Sequence, residues 1–250
     1  MFNTFFGGKP MKKIIFTLAF ICILTAGAFG QTADDYFNQG NTYSEQGDYN
    51  RAITAYTSAI RLSPNSAEAY FNRGIAYYAN GDNTRAIADF TEVIRLNPNL
   101  ANAYYNRGIA YKASGDNTRA IADYTEAIRL NPNYAEAYNN RGNAYRANGD
   151  NTRAIADYTQ AIRINNYADA YVNRGNAYFA SGDYTRAIAD YTQAIQLNPN
   201  FAQAYINRGT AYYANGDITR AIADIEAALR IDPNNTQIRR ALESARQSAQ

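Results

Sequence analysis

The chain has 250 residues, with 24 Lys plus Arg against 22 Asp plus Glu, no His and no Trp. Lys9, Lys12 and Lys13 precede residue 31 and no acid does, so the remainder is close to neutral. That balance argues against a nucleic-acid binder, whose phosphates demand clustered positive charge.

The N-terminus reads as a targeting segment. Residues 1–10 look like an upstream extension, with Met11 as the start. Lys12 and Lys13 form a positive region, and Ile14 to Leu24 is apolar apart from Thr17. Ala28-Phe29-Gly30 then fits the small-x-small rule for a cut before Gln31. The apolar stretch from Ile14 to Phe29 is short for a spanning helix. Residues 1–30 are therefore expected to be an extension plus a secretory signal. The protein is then exported, periplasmic or secreted, with no stable membrane span after cleavage. Ile21 before the only cysteine, Cys22, argues against lipidation. Cut at Gln31, the protein has no thiol, which suits an oxidising compartment without disulfides.

Beyond residue 31 a 34-residue period governs the chain. Tyr36, Tyr70, Tyr104 and Tyr138 keep that spacing, Tyr171 follows after 33 residues, and Tyr205 after 34. Gly40, Gly74, Gly108, Gly142, Gly175 and Gly209 keep step, as do Ala52, Ala86, Ala120, Ala154, Ala187 and Ala221. A fixed period of this size marks a solenoid whose units bury their apolar faces only against neighbours. The units are residues 33–66, 67–100, 101–134, 135–167, 168–201 and 202–235, within a repeat domain of residues 31–235.

In residues 67–100, numbered 1 to 34, Tyr70, Gly74 and Tyr77 fall at 4, 8 and 11, one side of a helix. Gly81-Asp82 breaks that helix. Ala86, Phe90, Val93 and Ile94 mark the inner stripe of a second helix, and Pro98 ends it. The pairs Asn65/Glu68, Asn99/Asn102, Asn133/Glu136 and Asn200/Gln203 are expected to cap the first helix of each following unit. Helices of about a dozen residues are too short to persist alone, so packing must hold them. Sixteen of the 23 tyrosines fall at positions 4, 11 and 24 and are expected in the core. Residues 236–250 place Ile238, Leu242 and Ala245 on one face, as a solvating end helix would.

These residues resemble the tetratricopeptide repeat (TPR) family, whose pattern is an aromatic at 4, Gly or Ala at 8, Tyr at 11, Ala at 20, an aromatic at 24, Ala at 27 and Pro at 32. Tyr138, Gly142, Tyr145, Ala154, Tyr158 and Ala161 match it in the fourth repeat. The resemblance implies an all-α fold: a right-handed superhelical solenoid of six helix-turn-helix repeats with a C-terminal capping helix. It covers residues 33–235. The chain departs from the pattern in three places. Position 7, usually Leu, is Arg73, Arg107, Arg141, Arg174 and Arg208. The fourth repeat lacks the Pro and one residue, reading Arg163-Ile164-Asn165-Asn166-Tyr167, and Ile225 replaces an aromatic. The position-7 arginines are expected to pair with Asp89, Asp123, Asp157, Asp190 and Asp224 at position 23. The rival partner for those acids is the Arg at position 19, an i,i+4 neighbour.

The catalytic inventory is poor. Past residue 31 there is no His or Cys and a single Lys, Lys112, with no phosphate loop and no metal-ligand cluster. A non-enzyme without cofactor or metal is expected. In the family resembled, the first helix of each repeat lines a concave groove through positions 2, 5, 6, 9 and 12. Position 6 is Asn38, Asn72, Asn106, Asn140, Asn173 and Asn207. The asparagine ladders of peptide-holding family members imply that such a row grips an extended peptide. The alternative is a scaffold residue bonding its neighbours.

Phe71, Ile75, Tyr78, Tyr105 and Ile109 form one apolar groove patch, and Val172, Phe179, Ile206 and Tyr213 another. Lys112, Asn139, Asn143 and Arg146 lie between them. The family's carboxylate clamp is missing, so the chaperone tails it grips are disfavoured. The reading is a non-catalytic protein-protein interaction scaffold of a bacterial cell envelope. The expected groove contacts are Asn72, Asn106, Asn140, Asn173 and Asn207, with Phe71, Tyr78, Tyr105, Phe179, Tyr213, Lys112 and Arg146. Two alternatives stay open: a homo-oligomerising structural array, or a non-catalytic subunit of an envelope enzyme complex.

Overall fold

The computed structural model describes residues 30–248. The expected signal segment, with Cys22, lies outside the described residues. Among those described, the chain forms thirteen helices and no strand. They pair as α1 (Ala33–Glu45) with α2 (Tyr49–Leu62), α3 (Ala67–Ala79) with α4 (Asn83–Leu96), and α5 (Ala101–Ala113) with α6 (Asn117–Leu130). The series continues with α7 (Ala135–Ala147) and α8 (Asn151–Ile164), α9 (Ala168–Ala180) and α10 (Tyr184–Leu197), and α11 (Ala202–Ala214) and α12 (Ile218–Ile231). The last helix, α13 (Thr236–Gln247), stands alone.

The turn within each repeat is built the same way. At the end of α3, Gly81 adopts a φ of 82° that only glycine takes without strain. The Gly81 N–H then donates to the Tyr78 carbonyl at 2.9 Å and the Asp82 N–H to Tyr77 at 2.8 Å. These bonds satisfy two of the last carbonyls of α3 in a Schellman motif. Asp82 immediately caps α4, its carboxylate accepting from the Arg85 N–H at 2.9 Å. Asp48, Asp116, Asp150, Asp183 and Asp217 repeat this cap. The same aspartates bind the Arg at position 19, three residues on, as in Arg85–Asp82 and Arg119–Asp116. The rival pairing of that Arg with position 23 is therefore not made.

The turn between repeats corrects the capping expectation. The N-caps of α3, α5, α7, α9 and α11 are Ser66, Leu100, Tyr134, Tyr167 and Phe201, one residue beyond the expected asparagines where those occur. Of these five, only Ser66 makes a side-chain cap bond. The reason is packing. Tyr134 lies with its ring centroid 4.7 Å from that of Tyr105, and Phe201 joins the core around Tyr191. A cap is worth about 1 kcal/mol, whereas burying a large apolar side chain is worth about 1.5–3 kcal/mol. The asparagines before the prolines close the turn instead: Asn131 Oδ1 accepts from the Asn133 N–H at 3.1 Å. In the fourth repeat the missing residue is absorbed by an extended Tyr167, φ −129° and ψ 150°, so α9 still packs on α8.

Each helix packs on the one before and the one after. Weaker contacts join α1 to α3, α3 to α5, α5 to α7, α7 to α9 and α9 to α11. The first helices of successive repeats thus approach one another and line the inner side of the curve. The core runs as a column along the array. Tyr56, Phe90, Tyr124, Tyr158 and Tyr191 at position 24 are all buried, beside fully buried alanines at position 20. Their rings lie on the glycine of the facing helix: a Cβ on Gly108 would stand 2.7 Å from Tyr124 Cε1. In the last repeat Ile225 replaces the ring, and the nearest atom to a Cβ on Gly209 is the Ala221 carbonyl at 3.2 Å. The array ends as expected, with Ile238, Leu242 and Ala245 of α13 buried and its other face exposed.

The arginines at position 7 tie the stack together. Arg107 Nε and Nη2 each donate to Asp123 at 2.8 Å, and Nη1 donates to Thr91 of the preceding repeat at 3.1 Å. Arg73, Arg141, Arg174 and Arg208 do the same toward Thr57, Thr125, Thr159 and Thr192. One guanidinium therefore joins three helices. The tyrosine at position 11 is covered on its other side by the Arg at 19, as with Arg153 at 4.4 Å from the Tyr145 ring centroid. The last repeat has Glu226 where the others have Thr, and it receives Arg246 of α13 at 2.8 Å.

Candidate functional groove

The first helices of the repeats carry positions 2, 5, 6, 9 and 12, and side chains at positions 5, 6 and 9 bond between successive first helices. The structure places the asparagines of position 6 in a bonded row. Asn72 Nδ2 donates to Asn41 Oδ1, Asn173 Nδ2 to Asn139 Oδ1, and Asn207 Nδ2 to Asn176 Oδ1, each at 3.0 Å. Asn140 Nδ2 donates to the Tyr105 hydroxyl at 3.0 Å. These four bonds cross from one repeat to the one before it. Asn106 instead bonds the Asn102 carbonyl of its own helix at 2.7 Å. The row is part of the scaffold. It also holds each amide in a fixed orientation, with one N–H of every pair still to be used.

A second set of bonds lies beneath the row. The tyrosine at position 24 donates to an asparagine at position 9 of its own repeat: Tyr56 to Asn41 at 2.8 Å, Tyr158 to Asn143 at 2.8 Å and Tyr191 to Asn176 at 2.9 Å. The second repeat replaces both members with apolar residues, Phe90 and Ile75. The third repeat breaks this rule, since Tyr124 faces Ile109 at position 9. Its hydroxyl is buried and has no hydrogen-bond partner. Leaving such a group unsatisfied costs about 1–3 kcal/mol. Burial pushes the Tyr124 hydroxyl well above the ordinary phenol range. Treating Tyr124 only as a core position by period hides this. Comparing positions 9 and 24 repeat by repeat exposes it.

The apolar residues expected in the groove divide into two kinds. Tyr78 and Tyr213 stand 40% and 49% exposed, with Ile75 at 38%. Phe71, Tyr105 and Phe179 are half-buried, their rings packed on Phe90, Tyr124 and Tyr184 at 5.7, 5.9 and 5.2 Å. Val172 belongs to the buried core. The second kind shapes the groove floor and leaves only an edge for a ligand.

At the edge of the first patch, across the second to fourth repeats, lies a pocket of about 340 Å³ lined by Tyr78, Ile109, Lys112, Ala113, Tyr124 and Asn140. Burial, reinforced by the Arg146 charge, holds the Lys112 ammonium below the ordinary lysine range. Arg146 also stands beside the Tyr158 hydroxyl. Among the described residues, neither cation has a carboxylate within ion-pair distance. A second pocket of about 280 Å³, between the first two repeats, is lined by Asn41, Ser44, Glu45, Tyr56, Asn72 and Ile75. Among the described residues no cluster of His, Cys, Asp or Glu is placed to hold a metal, and no helix is long and apolar enough to cross a membrane.

A column of paired helices with an inner groove defines a repeat scaffold, and the family comparisons give it a name. A TPR repeat profile matches residues 40–81, 76–115 and 175–216, and tetratricopeptide repeat profiles match residues 105–169 and 202–235. The chain belongs to the tetratricopeptide repeat family. Among solved structures it is similar to the MamA protein, at 30% identity and a TM-score of 0.64, over 70% of this chain and 96% of that one. It is similar in fold to YrrB, described as a TPR protein with an unusual peptide-binding site, at 21% identity and a TM-score of 0.63, over 76% and 98% of the two chains. It also shares its fold with PilW, a widely conserved type IV pilus biogenesis factor, at 16% identity and a TM-score of 0.74, over 85% and 99%. No curated relative matches the sequence significantly. The family and fold make this chain a protein-interaction scaffold.

Proposed function

We propose that the protein holds an extended segment of a partner protein along the inner face of its repeats, without catalysis, in a bacterial cell envelope. The observation that carries this is the groove itself. Among the described residues, three of the five exposed large apolar side chains, Ile75, Tyr78 and Tyr213, lie on inner helices, alongside a row of amides fixed by bonds between repeats. Exposed apolar surface rimmed by polar groups marks an interaction site. Fixed amides offer main-chain hydrogen bonds at low entropic cost, because their side chains are already ordered. The likeness to YrrB, described as having a peptide-binding site, supports this groove reading.

The envelope assignment rests on Lys12, Lys13, the apolar run and Ala28-Phe29-Gly30. A photo-crosslinking residue at Tyr78 or Tyr213, compared with one at Arg95 on α4, tests the proposal in intact cells. Partner adducts at the inner positions alone are expected. Adducts only at Arg95 place the interface on the outer face. Adducts that join two copies of this chain favour a homo-oligomeric array.

A further inference from the structure

Lys112 is the one lysine beyond residue 31. It sits half-buried on α5 and lines the pocket of about 340 Å³ with Ile109 and Ala113 of its own helix, Tyr78 of α3, Tyr124 of α6 and Asn140 of α7. Among the described residues, no carboxylate lies within ion-pair distance of its ammonium. Arg146 of α7 adds a like charge nearby. Burial first, and that charge second, disfavour the protonated form. Desolvation and a neighbouring cation are the two devices that free a lysine's lone pair for attack on a carbonyl. Tyr78, Ile109 and Ala113 supply apolar surface beside the amine. Asn140 supplies a polar group: its amide donates to Tyr105 at 3.0 Å and has a second N–H to offer.

We infer that this pocket is a covalent site for a small aldehyde with an apolar body, which Lys112 binds as an imine. The Nζ lone pair attacks the carbonyl carbon, and the C=O π pair moves to oxygen, which takes up a proton as Nζ loses one. The carbinolamine then expels water: its C–O bond breaks, the C=N bond forms, and Nζ gives up its second proton to the departing hydroxyl. No oxidant or reductant enters. The free Asn140 N–H stabilises the oxygen while it carries negative charge. The ring or alkyl body of the aldehyde lies on Tyr78, Ile109 and Ala113. The site needs no partner segment in the groove, so it stands apart from the scaffold reading.

The test uses the full chain carrying Gln196→Lys, which adds an exposed amine on α10 as an internal reference. Benzaldehyde is titrated in with cyanoborohydride, whose hydride adds to the imine carbon and fixes the adduct. Peptide mapping by mass spectrometry then scores each amine separately. Lys112 is expected to be labelled at least about tenfold faster than the reference, at a rate that saturates with benzaldehyde, because the pocket holds the aldehyde before the bond forms. Ala113→Trp, at an exposed position on the pocket wall, fills the pocket and should bring Lys112 within about twofold of the reference. Arg146→Met should slow the labelling of Lys112 alone, since it removes the like charge. Equal rates at Lys112 and the reference overturn the site. So does a Lys112 rate that rises linearly without saturation, or an advantage that survives Ala113→Trp in a protein shown to be folded by circular dichroism. A greater advantage with glyoxylate, an aldehyde without an apolar body, overturns the ligand class.

Discussion

Arg141 and Asp157 form a two-pronged ion pair, with Nε and Nη2 each 2.8 Å from a carboxylate oxygen and Asp157 only 6% exposed. The third nitrogen reaches Thr125 of the preceding repeat at 3.0 Å. Arg141→Leu is expected to cost about 3–5 kcal/mol, because it strands a buried carboxylate. Replacing both members by Leu and Ala should cost much less than the two single changes summed. A double-mutant cycle in urea reads the coupling directly, and strict additivity would count against the pair.

Gly108 and Gly209 occupy the same position in their repeats, but Gly108 lies against the Tyr124 ring and Gly209 against a repeat in which Ile225 replaces the ring. A Cβ at Gly108 would stand 2.7 Å from Tyr124, whereas at Gly209 its nearest neighbour is the Ala221 carbonyl at 3.2 Å. Gly108→Ala is expected to lose about 1–3 kcal/mol through overpacking, partly offset by helix propensity. Gly209→Ala should stay within about 1 kcal/mol of the parent. Urea midpoints of the two variants, measured side by side, check the difference.

Much of this was legible in the sequence. The period gives six paired-helix repeats and an end helix, and the position-7 arginines and position-23 aspartates recur with it as the pairs the structure forms. The capping of the first helices was misread, because an Asn preceding a helix looks alike whether it caps or closes a turn. The competing packing of Tyr134 and Phe201 is a tertiary effect that local pattern does not carry. The division of the groove residues was hidden for the same reason. Phe71 and Tyr78 both sit on the inner helix, but only Phe71 finds a ring, Phe90, to pack against. The orphaned Tyr124 needed coordinates to show that position 9 is the partner of position 24.

Alkaline pH should unfold the array cooperatively. Burial raises the Tyr158 hydroxyl to about 12, and Tyr134 and Tyr167 likewise to about 12. The folded pKa lies above the unfolded value near 10, so the folded state binds more protons between the two. Stability is then fully present below pH 10 and falls as pH rises from 10 toward 12, by about 1.4 kcal/mol per unit for each fully coupled group. Urea melts at pH 8, 10 and 11.5 should show a midpoint that is flat at first and then drops. Tyr158→Phe should blunt the drop.

Export is tested by mass. The chain expressed in a bacterium with its leader is expected to yield a mature species beginning at Gln31 in the exported fraction. Intact-mass spectrometry reads this directly. A species that retains Cys22 or carries lipid would contradict the signal reading.

The amide row along the inner helices is proposed to hold the partner. One Asn→Ala change should cost only about 0.5–1.5 kcal/mol, easily lost in experimental scatter. The direct measurement is therefore a titration of the triple variant Asn106→Ala, Asn140→Ala, Asn173→Ala against the partner segment captured by crosslinking, with its fold checked by circular dichroism. Asn140 and Asn173 also bond the preceding repeat, so a small loss of stability is expected with the helical signal retained. The expected result is a folded protein that binds at least about tenfold more weakly than the parent. A folded triple variant that binds like the parent would show that the row is scaffold alone and that the interface lies elsewhere on the array.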